Sequence, residues 1–308
     1  MSDRSRDRLS GVFPIVSSPF AADGTPDADA LARVVDFIVA GGADGAVYPA
    51  IASEFATLAP EERRAGVEIV ARALARRCAF VVGISDETPE RSAGHARQAA
   101  ALGADAVMLM APRSAGTTPD SVCAFFATAL GGIALPVIMQ NAPPPLGSSL
   151  SIETVREVCR RIPAIRYVKE EVVPCGQRIT ALRAGVPDLA GIFGGAGGRF
   201  VLDELARGAA GSMPACEIPE LHVAIFRAHR DGRLDEARRV FDTILPLLNL
   251  GSAYRTPITK HILVRRGIIA DARHRDTNPV LDDFDTRELE AVWAELVRRA
   301  PILQGTRR

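Results

Sequence analysis

The sequence predicts an α/β fold, a (β/α)8 TIM barrel closed by a C-terminal helical bundle. Three features predict it: eight short apolar runs, an amphipathic segment between successive runs, and no further strand-like run beyond residue 217. Barrels of this kind need about 250 residues for their core, so a chain of 308 carries a surplus at one end.

The runs are Val12–Val16, Gly45–Pro49, Phe80–Ile84, Ala106–Met110, Pro136–Met139, Ile165–Val168, Ala190–Phe193 and Gly211–Pro214. Each is nearly continuous in apolar character and flanked by Gly or Pro, the pattern of strands buried on both faces of a parallel sheet. The segments between them read as helices. Pro60–Arg77 opens with Pro and two acidic residues, which suit a first turn. Thr118-Pro119-Asp120 supplies a cap and a Pro at the first helical position. Ser151 caps a segment to Arg161 in which Ile152, Val155 and Val158 share one face. Strand followed by helix, eight times over, implies parallel strands joined by right-handed crossovers. A doubly wound sheet shares that alternation, but no G-x-G-x-x-G opens the first helix. The barrel is assigned to residues 1–217. Residues 218–308 form the helical extension packed on it, with Leu234, Ala237, Phe241, Ile244 and Leu248 along one face.

Composition narrows the function. Hydrophobic residues make up 47%, enough for a large core and too many for disorder. Lys plus Arg and Asp plus Glu each number 37, so no net field draws nucleic acid or an anionic membrane. Only the tails Arg4–Arg8 and Thr306–Arg308 are locally basic. Cys78, Cys123, Cys159, Cys175 and Cys216 are scattered, without the spacing of a zinc or redox site. Residues Met1–Leu9 lack the apolar stretch of a signal peptide, and no run reaches membrane-spanning length. The expectation is a cytoplasmic protein with no metal and no membrane or nucleic-acid partner.

Barrel chemistry sits where strands end, at the C-terminal face. The sixth strand ends Val168-Lys169-Glu170-Glu171. Burial disfavours an ammonium ion, and a neutral Lys is a nucleophile for a ketone carbonyl. A rim ion pair is the plainer reading of Lys169. Side chains alternate along a strand, so Glu171 shares a face with Lys169 and could move a proton beside an iminium. A simple salt bridge to Lys169 is its alternative. Gln140 and Asn141 end the fifth strand, suited to hydrogen bonding a polar substrate or to forming a turn. After the second strand, Ser53 and backbone amides such as that of Ala52 suit a carboxylate. Glu54 instead reads as a tie for that loop. The cluster Gly194-Gly195-Ala196-Gly197-Gly198 permits close backbone approach to a ligand. None of the five histidines sits at a strand end, and no metal is assigned.

These residues resemble the dihydrodipicolinate synthase / N-acetylneuraminate lyase superfamily over nearly the whole chain. The likeness is carried by Gly11-Val12-Phe13-Pro14-Ile15-Val16, Ser53-Glu54-Phe55-Ala56-Thr57-Leu58, Leu135-Pro136-Val137-Ile138 and Val168-Lys169-Glu170. The resemblance implies a barrel with a helical C-terminal bundle, a homotetramer, and Lys169 as the Schiff-base lysine for a small 2-oxo acid. Departures accompany it. Where the family usually has Gly-Thr-Thr-Gly-Glu, this chain has Ala50-Ile51-Ala52-Ser53-Glu54, so the threonine hydroxyls are absent. The family's relay tyrosine at the end of strand five aligns with Gln140, and the tyrosine from a neighbouring subunit with Ser114. The synthase's arginine after strand five aligns with Pro145. An amide or a serine does not replace a phenol in proton transfer, which argues against dihydrodipicolinate synthase activity.

At these positions the chain is similar to the 2-keto-3-deoxy-L-arabonate dehydratases. These share a Gln-Asp-Ala-Pro-like end to strand five, compared with Gln140-Asn141-Ala142-Pro143, and a Glu two residues beyond the lysine, as at Glu171. The resemblance implies a dehydratase that needs no cofactor, because the protonated imine is the electron sink. A pyruvate-dependent aldolase on the same scaffold, or a non-catalytic 2-oxo-acid binder, are the other readings.

Overall fold

The computed structural model describes residues 8–145 and 147–306. Most of the basic tails Arg4–Arg8 and Thr306–Arg308 lies outside them. Eight parallel strands form the barrel: β1 (Gly11–Val12), β2 (Gly45–Tyr48), β3 (Ala79–Gly83), β4 (Ala106–Leu109), β5 (Val137–Asn141), β6 (Ile165–Glu170), β7 (Gly191–Gly194) and β8 (Gly211–Ser212). They pair in the order β1-β8-β7-β6-β5-β4-β3-β2. Ile15 closes the ring by bridging both Val47 and Ala215. The first run is thus a strand of two residues and a bridge rather than five continuous residues. Pro14, which has no N–H to give the ladder, interrupts it.

The helices alternate with the strands: α1 (Ala28–Ala40), α2 (Pro60–Leu74), α3 (Pro89–Ala101), α4 (Pro119–Ala129), α5 (Ile152–Arg161), α6 (Cys175–Gly185), α7 (Val201–Ala206) and α8 (Pro219–Arg230). Thr118 and Ser151 cap α4 and α5 as expected, accepting from the amides of Ser121 at 3.2 Å and Thr154 at 3.1 Å. α2 stops at Leu74, three residues short of its expected end, because Ala75 and Arg76 take positive φ.

Alternation along the strands sorts the core into two layers. Phe13, Val81, Met108, Ile138, Tyr167 and Phe193 fill the barrel interior. Val82, Leu109, Met139, Val168 and Ile192 face the helices. Phe13 and Phe193 meet edge to face at 5.2 Å between centroids.

A third cluster joins α7 and α8 to three further helices, α9 (Leu234–Ala253), α10 (Arg255–Arg265) and α11 (Asp283–Arg299). On α9, Ala237, Phe241, Ile244 and Leu248 are buried as expected, but Leu234, at the first turn, is exposed. The region beyond residue 217 is not helical throughout. Residues 266–282 run without a helix between α10 and α11 and fold back onto the loop after β2.

Candidate active site at the barrel mouth

β6 delivers the central side chain. Tyr167 faces the barrel interior and Val168 the helices, so Lys169 turns inward and Glu170 outward. The Glu171 N–H donates to the Asn141 carbonyl at 3.0 Å, which carries strand geometry one residue past β6. Glu171 therefore joins Lys169 on the inner face. Lys169 Nζ lies 3.2 Å from Glu171 Oε1, and both side chains are buried.

β5 supports this pair. Gln140 is in register with Lys169, and its Nε2 donates to Glu171 Oε1 at 2.6 Å. The Ala196 N–H approaches Glu171 Oε2 at 3.4 Å. Gly195 leaves the room that Glu171 occupies, since a Cβ there would stand 2.3 Å from Glu171 Cγ. Burial pushes the Glu171 carboxyl up, but Lys169, the Gln140 amide and Arg255 together outweigh it. The carboxyl is held below its ordinary range and is ionised at neutral pH.

Lys169, Glu171 and Ala52 line one cavity, together with Met213 from beyond β8 and with Arg199 and Glu217. Its roof is not part of the barrel. The corner between α9 and α10 supplies Leu248, Ser252, Arg255 and Thr259. Glu217 is buried and accepts from Thr259 Oγ1 at 3.1 Å. Burial raises its carboxyl above the ordinary range against the opposing pull of Thr259, Arg266 and Arg255. The cavity thus holds an amine, an ionised carboxylate beside it, and a second carboxyl biased toward its protonated form.

The remaining expected residues lie behind the cavity wall. Asn141 turns to the outer face, as alternation requires, where Nδ2 donates to the Leu150 carbonyl and to both Glu170 oxygens. Ser53 Oγ donates to the Val16 carbonyl at 2.6 Å and accepts from the Ala50 N–H at 3.0 Å, fixing the turn after β2. Gly194 backs onto Glu204, whose carboxyl occupies the space a Cβ would need. At these three positions the structure shows packing and hydrogen bonding within the protein. Glu217, Arg199 and Arg255 were not singled out from the sequence. Glu217 carried a signal, an acidic residue in the apolar stretch Ala215-Cys216-Glu217-Ile218. The two arginines carried none, because neither lies at a strand end.

Glu54 ties its loop down. Its Oε1 lies 2.5 Å from Lys260 Nζ, and its Oε2 accepts from the amides of Arg275 at 2.5 Å and Asp276 at 3.0 Å. Among the described residues, Glu54, His274 and Asp276 form the one group arranged like metal ligands, but Glu54 is already committed to those partners.

A sequence model of the "Dihydrodipicolinate synthetase family" matches residues 8–291. The chain belongs to that family. Within the dihydrodipicolinate synthetase family, the L-2-keto-3-deoxyarabonate dehydratase of Azospirillum brasilense is 30% identical over 96% of this chain and 97% of that protein. The probable 2-dehydro-3-deoxy-D-pentonate aldolase YjhH of Escherichia coli K12 is 28% identical over 78% of this chain and 81% of its own. The crystal structure of dihydrodipicolinate synthase from Rhodopseudomonas palustris matches with a TM-score of 0.86 at 26% identity. It covers 93% of this chain and 97% of that one. No helix of the described residues is long and apolar enough to cross a membrane.

Proposed function

We propose that this dihydrodipicolinate synthetase family member is a Schiff-base lyase that dehydrates a 2-keto-3-deoxy sugar acid. The observation that carries the reading is the buried Lys169–Glu171 pair at 3.2 Å, with Gln140 holding the carboxylate. The likeness to a keto-deoxy sugar acid dehydratase supports it.

The amine of Lys169 attacks the C2 carbonyl, and one water leaves as the iminium forms. The iminium acidifies C3, and Glu171 takes a C3 proton to give an enamine. Electrons of the enamine expel the C4 hydroxyl, which leaves as water with a proton from Glu217. Hydrolysis of the unsaturated imine consumes one water and frees Lys169. The balance is the loss of one water from the substrate. The two carboxyls, driven apart by their surroundings, suit base and acid respectively.

Retro-aldol cleavage of C3–C4, favoured by the likeness to an aldolase, uses the same lysine. It needs a base at the C4 hydroxyl, where Glu217 offers an acid.

The test is intact mass after incubation with pyruvate and borohydride, followed by product analysis on keto-deoxy sugar acids. The wild type gains a pyruvate-derived adduct that Lys169→Ala loses, and the product retains every substrate carbon. Release of pyruvate from the sugar acid would favour the aldolase. No adduct with any 2-oxo acid, from folded wild type, would sink the lysine chemistry and leave a binding role.

A further inference from the structure

The chamber around Lys169 opens outward into a larger vestibule. The two share Arg199 and Arg255 in their walls, along with Ile51, Glu171, Ala196 and Ser252. Lys169 and Glu217 line only the inner chamber. The arginines therefore line the throat between the two spaces, which Lys169 does not reach. A substrate bonded to Lys169 through C2 must send the far end of its chain past them.

These two cations are the least paired charges of the site, although Arg255 acts on Glu171 and Glu217 from beyond ion-pair distance. Lys169 is paired with Glu171, Glu54 with Lys260, and Arg275 with Glu62 through two hydrogen bonds of 2.7 and 2.8 Å. Asp276 is held by Thr256, His274 and Asn278. Neither Arg199 nor Arg255 is in an ion pair among the described residues. Arg199 gives its Nε to the Ala196 carbonyl at 3.1 Å and lies 5.6 Å from the centroid of the Phe200 ring, which leaves its terminal nitrogens without a hydrogen bond among the described residues. Both side chains are half-buried, so water compensates them less fully than it does surface arginines. Arg255 also opens α10, an eleven-residue helix whose N-terminal end adds positive potential at the same point.

We infer that Arg199 and Arg255 clamp a second acidic group at the far end of the substrate. The structure then calls for a keto-deoxy sugar acid that ends in a carboxylate or a phosphate instead of a neutral hydroxymethyl group. A planar guanidinium holds either anion through paired hydrogen bonds. The inference rests on the Schiff-base reading, because Lys169 anchors the near end.

The full-length wild type and Arg199→Gln, Arg255→Gln and the double variant are assayed with three six-carbon 2-keto-3-deoxy acids. One ends in a carboxylate, one in a phosphate, and one in a hydroxymethyl group. Wild type kcat/KM is expected to favour one anion-ended acid by about 10-fold or more, and which one identifies the group. Arg199→Gln loses about 10- to 100-fold on that substrate and at least tenfold less on the neutral-ended one. Arg255→Gln, which also removes a cation acting on Glu171, loses activity on all three but at least tenfold more on the anion-ended acid. Equal or better turnover of the neutral-ended acid overturns the inference. So do losses that fall equally on all three, since those place the arginines on the shared C1 carboxylate. Pyruvate with borohydride keeps the two ideas apart. An adduct without anion preference defeats the clamp alone, and no adduct in the wild type defeats the lysine chemistry and the clamp together.

Discussion

Glu171 and Glu217 share one cavity and are driven in opposite directions by what touches them. Burial acts upward on both. Glu171 escapes because an ammonium, an amide donor and Arg255 face it, whereas for Glu217 a hydroxyl and the pull of Arg266 and Arg255 do not outweigh burial. Gln140 is the adjustable part of this arrangement. It touches the carboxylate rather than the reacting carbons, so it positions and tunes the base. Gln140→Met removes a donor to the anionic form, so the Glu171 carboxyl rises. A base must be ionised to act, and the acidic limb of the kcat/KM profile therefore moves to higher pH. A variant whose limb stays in place, with only kcat reduced, would make Gln140 a packing residue.

At the scale of elements, the roof depends on one buried tie. Lys260 on α10 reaches Glu54 after β2, and Lys260 Nζ and the Arg275 guanidinium both lie over the Phe20 ring, at 4.2 and 4.3 Å from its centroid. Arg275 in turn binds Glu62 on α2. Residues 266–282 are thereby held to the barrel mouth by charge and hydrogen bonds, in addition to the burial of Ile269 in the outer core layer. Lys260→Met strands a buried carboxylate and is expected to cost about 3–5 kcal/mol in denaturant unfolding. The double change with Glu54→Leu restores a large part of that loss. A double variant no more stable than the single one would mean that the loop is held elsewhere.

At the scale of the molecule, His222 on α8 is buried between α8 and Gly198 with neither ring nitrogen hydrogen-bonded. Burial lowers its pKa to about 4. The unfolded chain takes up a proton at about 6.5, where the folded chain does not, so between these values the unfolded state binds more protons. Stability then falls as pH drops from about 6.5 to about 4, by roughly 3 kcal/mol for this residue. His222→Leu flattens that slope in urea titrations. His95, also lowered to about 4 by burial, leaves a remainder. An unchanged slope would show that His222 is protonated without unfolding.

The barrel was legible because Val, Ile, Leu and Ala recur in doubly buried runs, and Lys169 with Glu171 because charge conflicts with burial there. The outward turn of Asn141 was not legible, because β5 continues two residues beyond its apolar run and sends Gln140 inward and Asn141 out. The docking of the loop at 266–282 on the barrel mouth was not legible, since Glu54 and Glu62, which hold it there, lie more than two hundred residues away. Arg199 and Arg255 were hidden for the same reason: only the folded chain brings the α9–α10 corner over β6.

That corner divides the enzyme's labour along the chain. Gln140, Lys169 and Glu171 come from β5, β6 and the residue just beyond. Leu248, Ser252, Arg255 and Thr259 of the roof come from helices outside the barrel, while Glu217 and Arg199 belong to neither stretch. A chimera that exchanges the second stretch for a relative's leaves the reacting amine and its carboxylate in place. On the proposed reading, the amine with its base and a large part of the throat are carried by separate stretches of chain, which such an exchange pulls apart.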